Sequence, residues 1–450
     1  MPTLKDKIAD RSAHVAVIGL GYVGLPLATA FAKAGFRTTG IDVSQGKVDA
    51  INAGQSYIPD VSDEDIAPHV QVGQLTATLD YDALSQIDAV FICVPTPYDA
   101  QRAPDLSYIE AASKSIRPRL QPGQLIVLQS TTYPGTTEET VQPILEESGL
   151  KAGKDFYLAF SPERIDPGNK QWSAYNTPKV VGGLTPECTQ LAAELLCQMG
   201  APVHPVSSTR AAELTKLLEN TFRAVNIALA NELALLTERM DIDYWEVVEA
   251  AKTKPFGFMA FMPGPGVGGH CIPIDPYYLS WKAREYDYYT EFIELAGEVN
   301  QAMTYHVVDL AGQALSLHGK PLKGASVLVL GVAFKRDIDD ARNSPAERII
   351  EFLLGRGARV SYHDPYVPSF RVGGNVFHRE SATLESVALT DDELAAADCV
   401  VIVTDHRSVD YERVVRLAQL IVDTRNATAG VTGCEKKVVR LGVPLPCCDV

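Results

Sequence analysis

The chain has 450 residues, 46% hydrophobic and 21% charged, with 40 Lys and Arg against 56 Asp and Glu for a net charge of −16. At about 150 residues per domain the length suggests about three domains, and the composition excludes disordered and collagen-like classes. So acidic a surface repels phosphate backbones, which argues against a nucleic-acid partner and requires a locally basic pocket for any anionic ligand.

Residues 15–32 carry no charge but contain Gly19, Gly21, Gly24 and Pro26 and no small-residue cleavage pattern, so they read as neither a membrane span nor a signal peptide. Apolar runs at 14–18, 38–43, 89–94, 125–129 and 156–160 alternate with helical patterns over 22–34 and 108–120, which predicts βαβ units and a parallel sheet. From residue 207 the spacing predicts one long helix towards Met240. Leu214, Leu218, Phe222, Val225, Leu229, Leu233 and Leu236 recur every three or four residues behind a Ser-Ser-Thr cap, in a helix long enough to join two domains or pack on a second subunit. A helical stretch over 289–314 follows a Gly/Pro-rich segment at 263–269. The α/β pattern then restarts, with strands expected at 326–330, 359–362, 399–403 and 420–422 and a helix at 345–354.

The turn Gly19-Leu20-Gly21-Tyr22-Val23-Gly24 lies between a predicted strand and a predicted helix. Gly19 permits the turn, Gly21 admits a pyrophosphate to the backbone, and Gly24 allows close helix–strand packing. Asp42, at the end of the second strand, is placed to accept from a ribose hydroxyl and to disfavour a 2′-phosphate, so the expected cofactor is NAD. The bland alternative is a glycine-rich turn that binds nothing. Three more motifs follow strand ends: Val94-Pro95-Thr96-Pro97, Ser130 to Thr136 with Thr131, and Ser161-Pro162-Glu163-Arg164. In an open parallel sheet those ends border the ligand crevice.

The eight cysteines show no C-x-x-C spacing, which points to free thiols in a reducing cytoplasm and no structural zinc. Cys93 and Cys399 fall in predicted strands and read as packing residues. Cys271 differs: it stands on a glycine-rich loop, Pro263 to Pro276, containing Gly264, Gly266 and Gly268, beside His270 and four residues before Asp275. An inert loop thiol is the ordinary reading, a nucleophile the sharper one. On the long helix, Glu213, Lys216, Asn220 and Arg223 form a stripe that is ordinarily solvated; facing a crevice, Lys216 and Asn220 would instead steady an oxyanion.

Together these residues resemble the UDP-glucose/GDP-mannose dehydrogenases. The likeness is carried by Gly268-Gly269-His270-Cys271-Ile272-Pro273-Ile274-Asp275-Pro276, Gly331 to Asp337, Arg342-Asn343-Ser344-Pro345 and Asp423 to Asn426. The cysteine motif is similar to that of the branch acting on UDP-N-acetylhexosamines, UDP-N-acetylglucosamine above all. The resemblance implies two Rossmann-like parallel-sheet domains joined by a long central helical segment: an NAD domain at 1–205, a helical dimerisation segment carrying the cysteine loop at 206–315, and a UDP-binding domain at 316–450.

It also implies roles. Cys271 would trap the C6 aldehyde, Lys216 and Asn220 would steady the oxyanion, and Asp275 or Glu163 would activate water. Thr131 and Glu163 would border the sugar. Arg164, Gly264, Gly266, Gly268 and Lys335 would lie towards the substrate. Gly19, Gly21, Tyr22, Val23, Gly24, Asp42, Thr96, Thr131 and Arg342 would lie towards the cofactor. The implied partners are a UDP-sugar and a further copy of the chain, as a homodimer or higher homo-oligomer, with no nucleic acid and no membrane. Two departures weaken a plain UDP-glucose reading: Ile274 stands where a lysine is common before the aspartate, and Pro167 stands where a second glutamate is often found. A single-step NAD dehydrogenase using Lys216 as acid/base, and a nucleotide-sensing protein without catalysis, are the alternatives.

Overall fold

The structure is a computed structural model that describes residues 2–58, 60–98, 103–165, 171–173, 175–433 and 437–445. Pro167 and the cysteines Cys434, Cys447 and Cys448 lie outside them. The chain divides into two compact units, Met1–Glu219 with Tyr277–Tyr288, and Asn220–Pro276 with Tyr289–Val450.

In the first unit eight strands form one sheet: β1 (His14–Ile18), β2 (Arg37–Ile41), β3 (Leu75–Thr78), β4 (Ala89–Ile92), β5 (Leu125–Leu128), β6 (Tyr157–Phe160), β7 (Lys179–Gly183) and β8 (Val203–Pro205). Their spatial order is β3-β2-β1-β4-β5-β6-β7-β8. From β3 to β6 every pairing is parallel; β7 runs antiparallel to β6 and parallel to β8. The near-continuous apolar runs follow from burial on both faces, with alternate residues pointing to opposite sides. Val15 and Val17 of β1 join one core with the Gly24–Lys33 and Pro186–Cys197 helices, whereas Ala16 and Ile18 join another with the Ser107–Ile116 helix.

The strands at 38–43, 89–94 and 125–129 stop one or two residues short of expectation. Asp42, Cys93, Val94 and Gln129 leave the ladder there to form the loops at its carboxyl edge. The sequence reading missed β3, β7 and β8, because Leu-Thr-Ala-Thr is short and half polar, and Lys179–Gly183 opens with a charge and ends in two glycines.

The second unit holds a five-stranded, all-parallel sheet in the order β10-β9-β13-β14-β15, built from β9 (Ser326–Leu330), β10 (Arg359–His363), β13 (Cys399–Ile402), β14 (Ile421–Asp423) and β15 (Val438–Arg440). A hairpin of β11 (Ser369–Val372) and β12 (Ala382–Glu385) forms its own two-stranded sheet and touches β10 by a bridge between Ser386 and Tyr362. Val327 and Val329 face the Glu291–Leu317 and Pro345–Gly355 helices; Leu328 and Leu330 face those at Asp391–Ala396 and Tyr411–Leu417. The central helix is Thr209–Arg239, with Ser208 Oγ accepting from the Ala211 amide at its start. Its chain runs without a break from the first unit into the second at Glu219 and Asn220. Among the described residues no helix is long and apolar enough to cross a membrane.

Candidate active site

In the first unit the turn after β1 has the geometry a dinucleotide needs. Gly19 has φ +89° and donates its amide to Ile41 O at 2.7 Å. A Cβ on Gly24 would sit 1.8 Å from Gly19 O, so the helix can start this close only at a glycine, whereas a Cβ on Gly21 would meet nothing within 4 Å. That open face suits a pyrophosphate, while half-buried Tyr22 and Val23 turn to the core. Asp42 is buried and accepts from Leu20 N at 2.8 Å, Ser44 N at 2.9 Å and Lys47 Nζ at 3.0 Å. Burial pushes its carboxyl up, but the Leu20 and Ser44 amides and the Lys47 ammonium outweigh that and hold it below its ordinary value. The expected result for Asp42→Asn is a reduced preference for NAD over NADP, read as the ratio of the two kcat/KM values; an unchanged ratio would remove Asp42 from cofactor selection.

Thr96 is half-buried, and its carbonyl accepts from the Tyr278 hydroxyl. Thr131 is half-buried beside Ser130, whose hydroxyl binds Val94 O at 2.8 Å and so ties two strand ends together. Glu213, read from sequence as part of a solvated stripe, is fully buried. Its carboxylate accepts from Gly135 N at 2.6 Å, Thr137 N at 2.9 Å and Thr137 Oγ1 at 2.7 Å, fixing the strand-end motif that starts at Ser130. Burial raises its carboxyl above its ordinary value against the pull of these donors.

Lys216, one turn on, is 8% exposed and makes no ion pair or hydrogen bond among the described residues. The side chain is largely buried and pairs with no carboxylate among the described residues, an arrangement that can meet an anionic ligand. Arg223, by contrast, is exposed as a solvated stripe predicts.

Glu163, on the loop after β6, is 7% exposed. Oε1 accepts from the Arg164 and Ile165 amides at 2.8 and 3.1 Å, and Oε2 from Gln129 Nε2 at 2.9 Å and Lys179 Nζ at 3.3 Å. Burial pushes this carboxyl up, but the Lys179 charge and the amides prevail and hold it below its ordinary value. Lys179 escaped the sequence reading because β7 itself did. The Arg164 side chain is turned to Glu219 at 2.6 Å and Pro178 O at 2.7 Å.

In the second unit Cys271 is half-buried on the bend before the Asp275–Ala283 helix, and its carbonyl accepts from the Ile274 and Asp275 amides at 3.0 and 2.8 Å. Asp275 is buried, with Oδ2 accepting from Asn220 Nδ2 at 2.6 Å. Three of the predicted residues, Cys271, Asp275 and Asn220, are thus linked. The glycines beside them serve packing: a Cβ on Gly268 would come within 2.9 Å of Phe334, Asn343 and Pro345. Gly264 donates to Asn231 Oδ1 at 2.9 Å, and Gly266 packs on Pro345. His270 Nδ1 lies 3.5 Å from the guanidinium of Arg342, which pairs with Asp340 at 2.5 Å, and half-buried Lys335 follows Phe334. Arg342, expected along the cofactor, therefore belongs to the unit that lacks the Gly19 turn.

Cys93 and Cys399 are buried, and burial pushes Cys399's thiol up to about 12. The second unit repeats the first unit's turn in altered form. Gly331 N donates to His363 O at 2.8 Å, and Asp364 accepts from the Val332 and Ala333 amides and from His406 Nε2. Asp364 is thus held, as Asp42 is, by an amide of its glycine turn, with the His406 ring as a further donor.

The chain matches the NAD-binding, central and UDP-binding domains of the UDP-glucose/GDP-mannose dehydrogenase family over residues 13–199, 210–302 and 328–430. It is 40% identical to a UDP-N-acetyl-D-glucosamine 6-dehydrogenase of Pseudomonas aeruginosa over 79% of this chain and 84% of that protein. The fold is similar to a UDP-D-ManNAc dehydrogenase from Pyrococcus horikoshii, with a TM-score of 0.85 at 33% identity covering 95% and 99% of the two chains. It is also similar to a UDP-glucose dehydrogenase from Pyrobaculum islandicum, with a TM-score of 0.83 at 29% identity covering 96% and 98%. With a glycine turn and acid fit for NAD, a buried lysine unpaired among the described residues and a loop cysteine whose carbonyl meets the amide of an Asn-paired Asp, the chain belongs to the UDP-glucose/GDP-mannose dehydrogenase family and is an NAD-dependent UDP-sugar dehydrogenase.

Proposed function

We propose that the chain oxidises the C6 hydroxyl of a UDP-N-acetylhexosamine, UDP-N-acetylglucosamine foremost, to the carboxylate. The observation that carries this reading is Cys271, a half-buried thiol on a bend held by Asp275 N, where a one-step alcohol dehydrogenase needs no nucleophile. NAD, when bound, accepts a hydride in each of two oxidations. Between them the Cys271 thiolate adds to the aldehyde, a C–S bond forms, and the carbonyl oxygen takes a proton to give a thiohemiacetal. Loss of that proton with the second hydride leaves a thioester. Water then adds, the C–S bond breaks, and the thiol and a carboxylate are released.

Lys216 and Asn220 steady the oxyanions in this scheme, and Asp275 and Glu163 are the two carboxylates offered to the water. Thr131 and Glu163 border the sugar, Arg164, Gly264, Gly266, Gly268 and Lys335 lie towards the substrate, and Thr96 and Arg342 towards the cofactor. The segments 1–205, 206–315 and 316–450 divide as NAD-binding, helical and UDP-binding parts. The preference for an N-acetyl sugar is supported by the Pseudomonas aeruginosa relative and by Ile274 before the aspartate. An NADH assay over UDP-N-acetylglucosamine, UDP-N-acetylmannosamine, UDP-N-acetylgalactosamine and UDP-glucose tests it. The expected kcat/KM is highest for UDP-N-acetylglucosamine, by roughly tenfold or more. A higher value for UDP-N-acetylmannosamine or UDP-glucose would reassign the substrate; binding without NADH from any of them would make the chain a nucleotide-sugar-binding protein.

The partner is a second copy of the chain, working in the cytoplasm. Leu214, Leu218, Phe222, Leu229, Leu233 and Leu236 are all exposed on the central helix, Leu218 at 64%. With half-buried Val225 between Phe222 and Leu229, the steps of four, four and three residues repeat every eleven, close to the helical period, so the stripe stays on one side of a nearly straight helix. An apolar strip of this length marks an interface. Leu218→Glu is expected to shift the protein from dimer to monomer in sedimentation velocity; a wild type already monomeric at micromolar concentration would refute the assignment.

A further inference from the structure

Beyond the carboxyl ends of three neighbouring strands of the second sheet, β9, β13 and β14, stand Arg336, Asp405 and Arg425, none of which has a role above. Asp405 is 5% exposed; its Oδ2 accepts from the Arg336 guanidinium and its Oδ1 from Arg425 Nε at 3.3 Å. Other carboxylates of these loops are committed elsewhere. Asp423 accepts from the Arg425, Ala427 and Thr428 amides and the Thr428 hydroxyl, and Asp337 from the Arg407 amide and guanidinium. Two guanidiniums on one carboxylate leave one net positive charge, where a structural ion pair needs only one arginine. The surplus suits an anion.

Asp405 stands on a firm support. His406 beside it is fully buried, accepts from the Asp337 amide at 3.0 Å and meets Asp364 at 3.1 Å, and the Thr404 hydroxyl donates to Ala333 O at 2.6 Å. A Cβ on Gly264 would come within 2.6 Å of Arg425 Nη1, so the guanidinium lies against the backbone that opens the Cys271 loop. Burial, then the Asp423 charge, raises the Tyr411 phenol against the pull of both guanidiniums, and its enclosed hydroxyl has no hydrogen-bond partner among the described residues.

We propose that Asp405 is a positioning residue: by holding Nε it aims the Arg425 guanidinium along the Cys271 loop, where it receives the diphosphate of the nucleotide sugar. This rests on the reading of 316–450 as the UDP-binding part. A guanidinium has five N–H donors, so the bond to Asp405 fixes its plane and leaves donors for phosphate oxygens.

Charge and positioning predict opposite signs for Asp405→Asn. Removing a negative charge should by itself tighten the binding of UDP, whereas loss of positioning should weaken it. In isothermal titration calorimetry the variant is expected to bind UDP about tenfold or more weakly than the wild type, with KM for UDP-N-acetylglucosamine rising in parallel and kcat changing far less. Arg425→Lys should lose a similar factor. Because Asp405 acts through Arg425, the double variant should bind no more weakly than Arg425→Lys alone. Unchanged or tighter UDP binding in Asp405→Asn would overturn the proposal, as would a double variant showing the full product of the two losses. If Asp405→Asn does not fold, the 15N resonance of Arg425 Nε in the wild type, assigned by its loss in Arg425→Lys, decides. It should exchange slowly with water and shift when UDP is added; a fast-exchanging signal indifferent to UDP would refute the assignment. Binding of UDP needs no turnover, so this contrast in a protein that forms no NADH from any UDP-sugar would fault the catalytic reading and not this one.

Discussion

Cys271→Ala is expected to abolish uronate formation, by roughly three orders of magnitude or more, while NAD affinity stays within about twofold of the wild type. The loop is held by bonds made by atoms other than the sulfur. It is set by Gly269 N on Arg342 O at 3.1 Å, Asn343 Nδ2 on Gly269 O at 3.0 Å, and the Ile274 and Asp275 amides on the Cys271 carbonyl. Alanine keeps every one of these bonds, so the variant removes the proposed nucleophile and leaves them in place. Rapid mixing with substrate and NAD, with uronate measured by chromatography, reads the outcome. Uronate production at the wild-type rate would remove the covalent step.

Lys216→Met separates activity from stability. The side chain is largely buried and pairs with no carboxylate among the described residues, so an apolar side chain of similar length should leave the melting temperature unchanged or raise it. If the charge serves a developing oxyanion, kcat should fall by about 10²–10³ with KM little altered. A variant that is less stable and retains kcat within a few-fold would mark Lys216 as structural. Glu213, three residues earlier, provides the contrast: its partners are the Gly135 and Thr137 amides and the Thr137 hydroxyl, and its loss should act on stability first.

What was legible in the sequence was local. Gly19, Gly24 and Asp42 announce a dinucleotide turn within one βαβ unit, and Cys271 stands out by its glycine neighbours, because both signals need only adjacent residues. Glu213 and Lys179 were not legible. The donors to Glu213 lie 76 and 78 positions away and those to Glu163 come from three separate strand ends, so nothing near either residue distinguishes it from a solvated charge. Gly268, in the glycine-rich 263–269 stretch, packs against Phe334 and Pro345, more than sixty positions on, a contact no adjacent residue announces. On the central helix the apolar period marked the right residues, yet Leu218 and Leu229 face outward, because periodicity alone does not say whether a stripe meets its own core or another chain.

The net charge of −16 excluded polyanions, not small anions. On the proposed reading, recognition of a nucleotide and a nucleotide sugar would fall to an open glycine turn and to placed cations such as Lys216, on which bulk acidity does not bear.

The measurement that tests the four-electron scheme most directly is the stoichiometry of NADH formed per UDP-N-acetylglucosamine consumed, taken to completion with excess NAD. Two dehydrogenations joined by the Cys271 thiohemiacetal require two NADH for each sugar and a carboxylate at C6. One NADH for each sugar, with an aldehyde as product, would contradict the account.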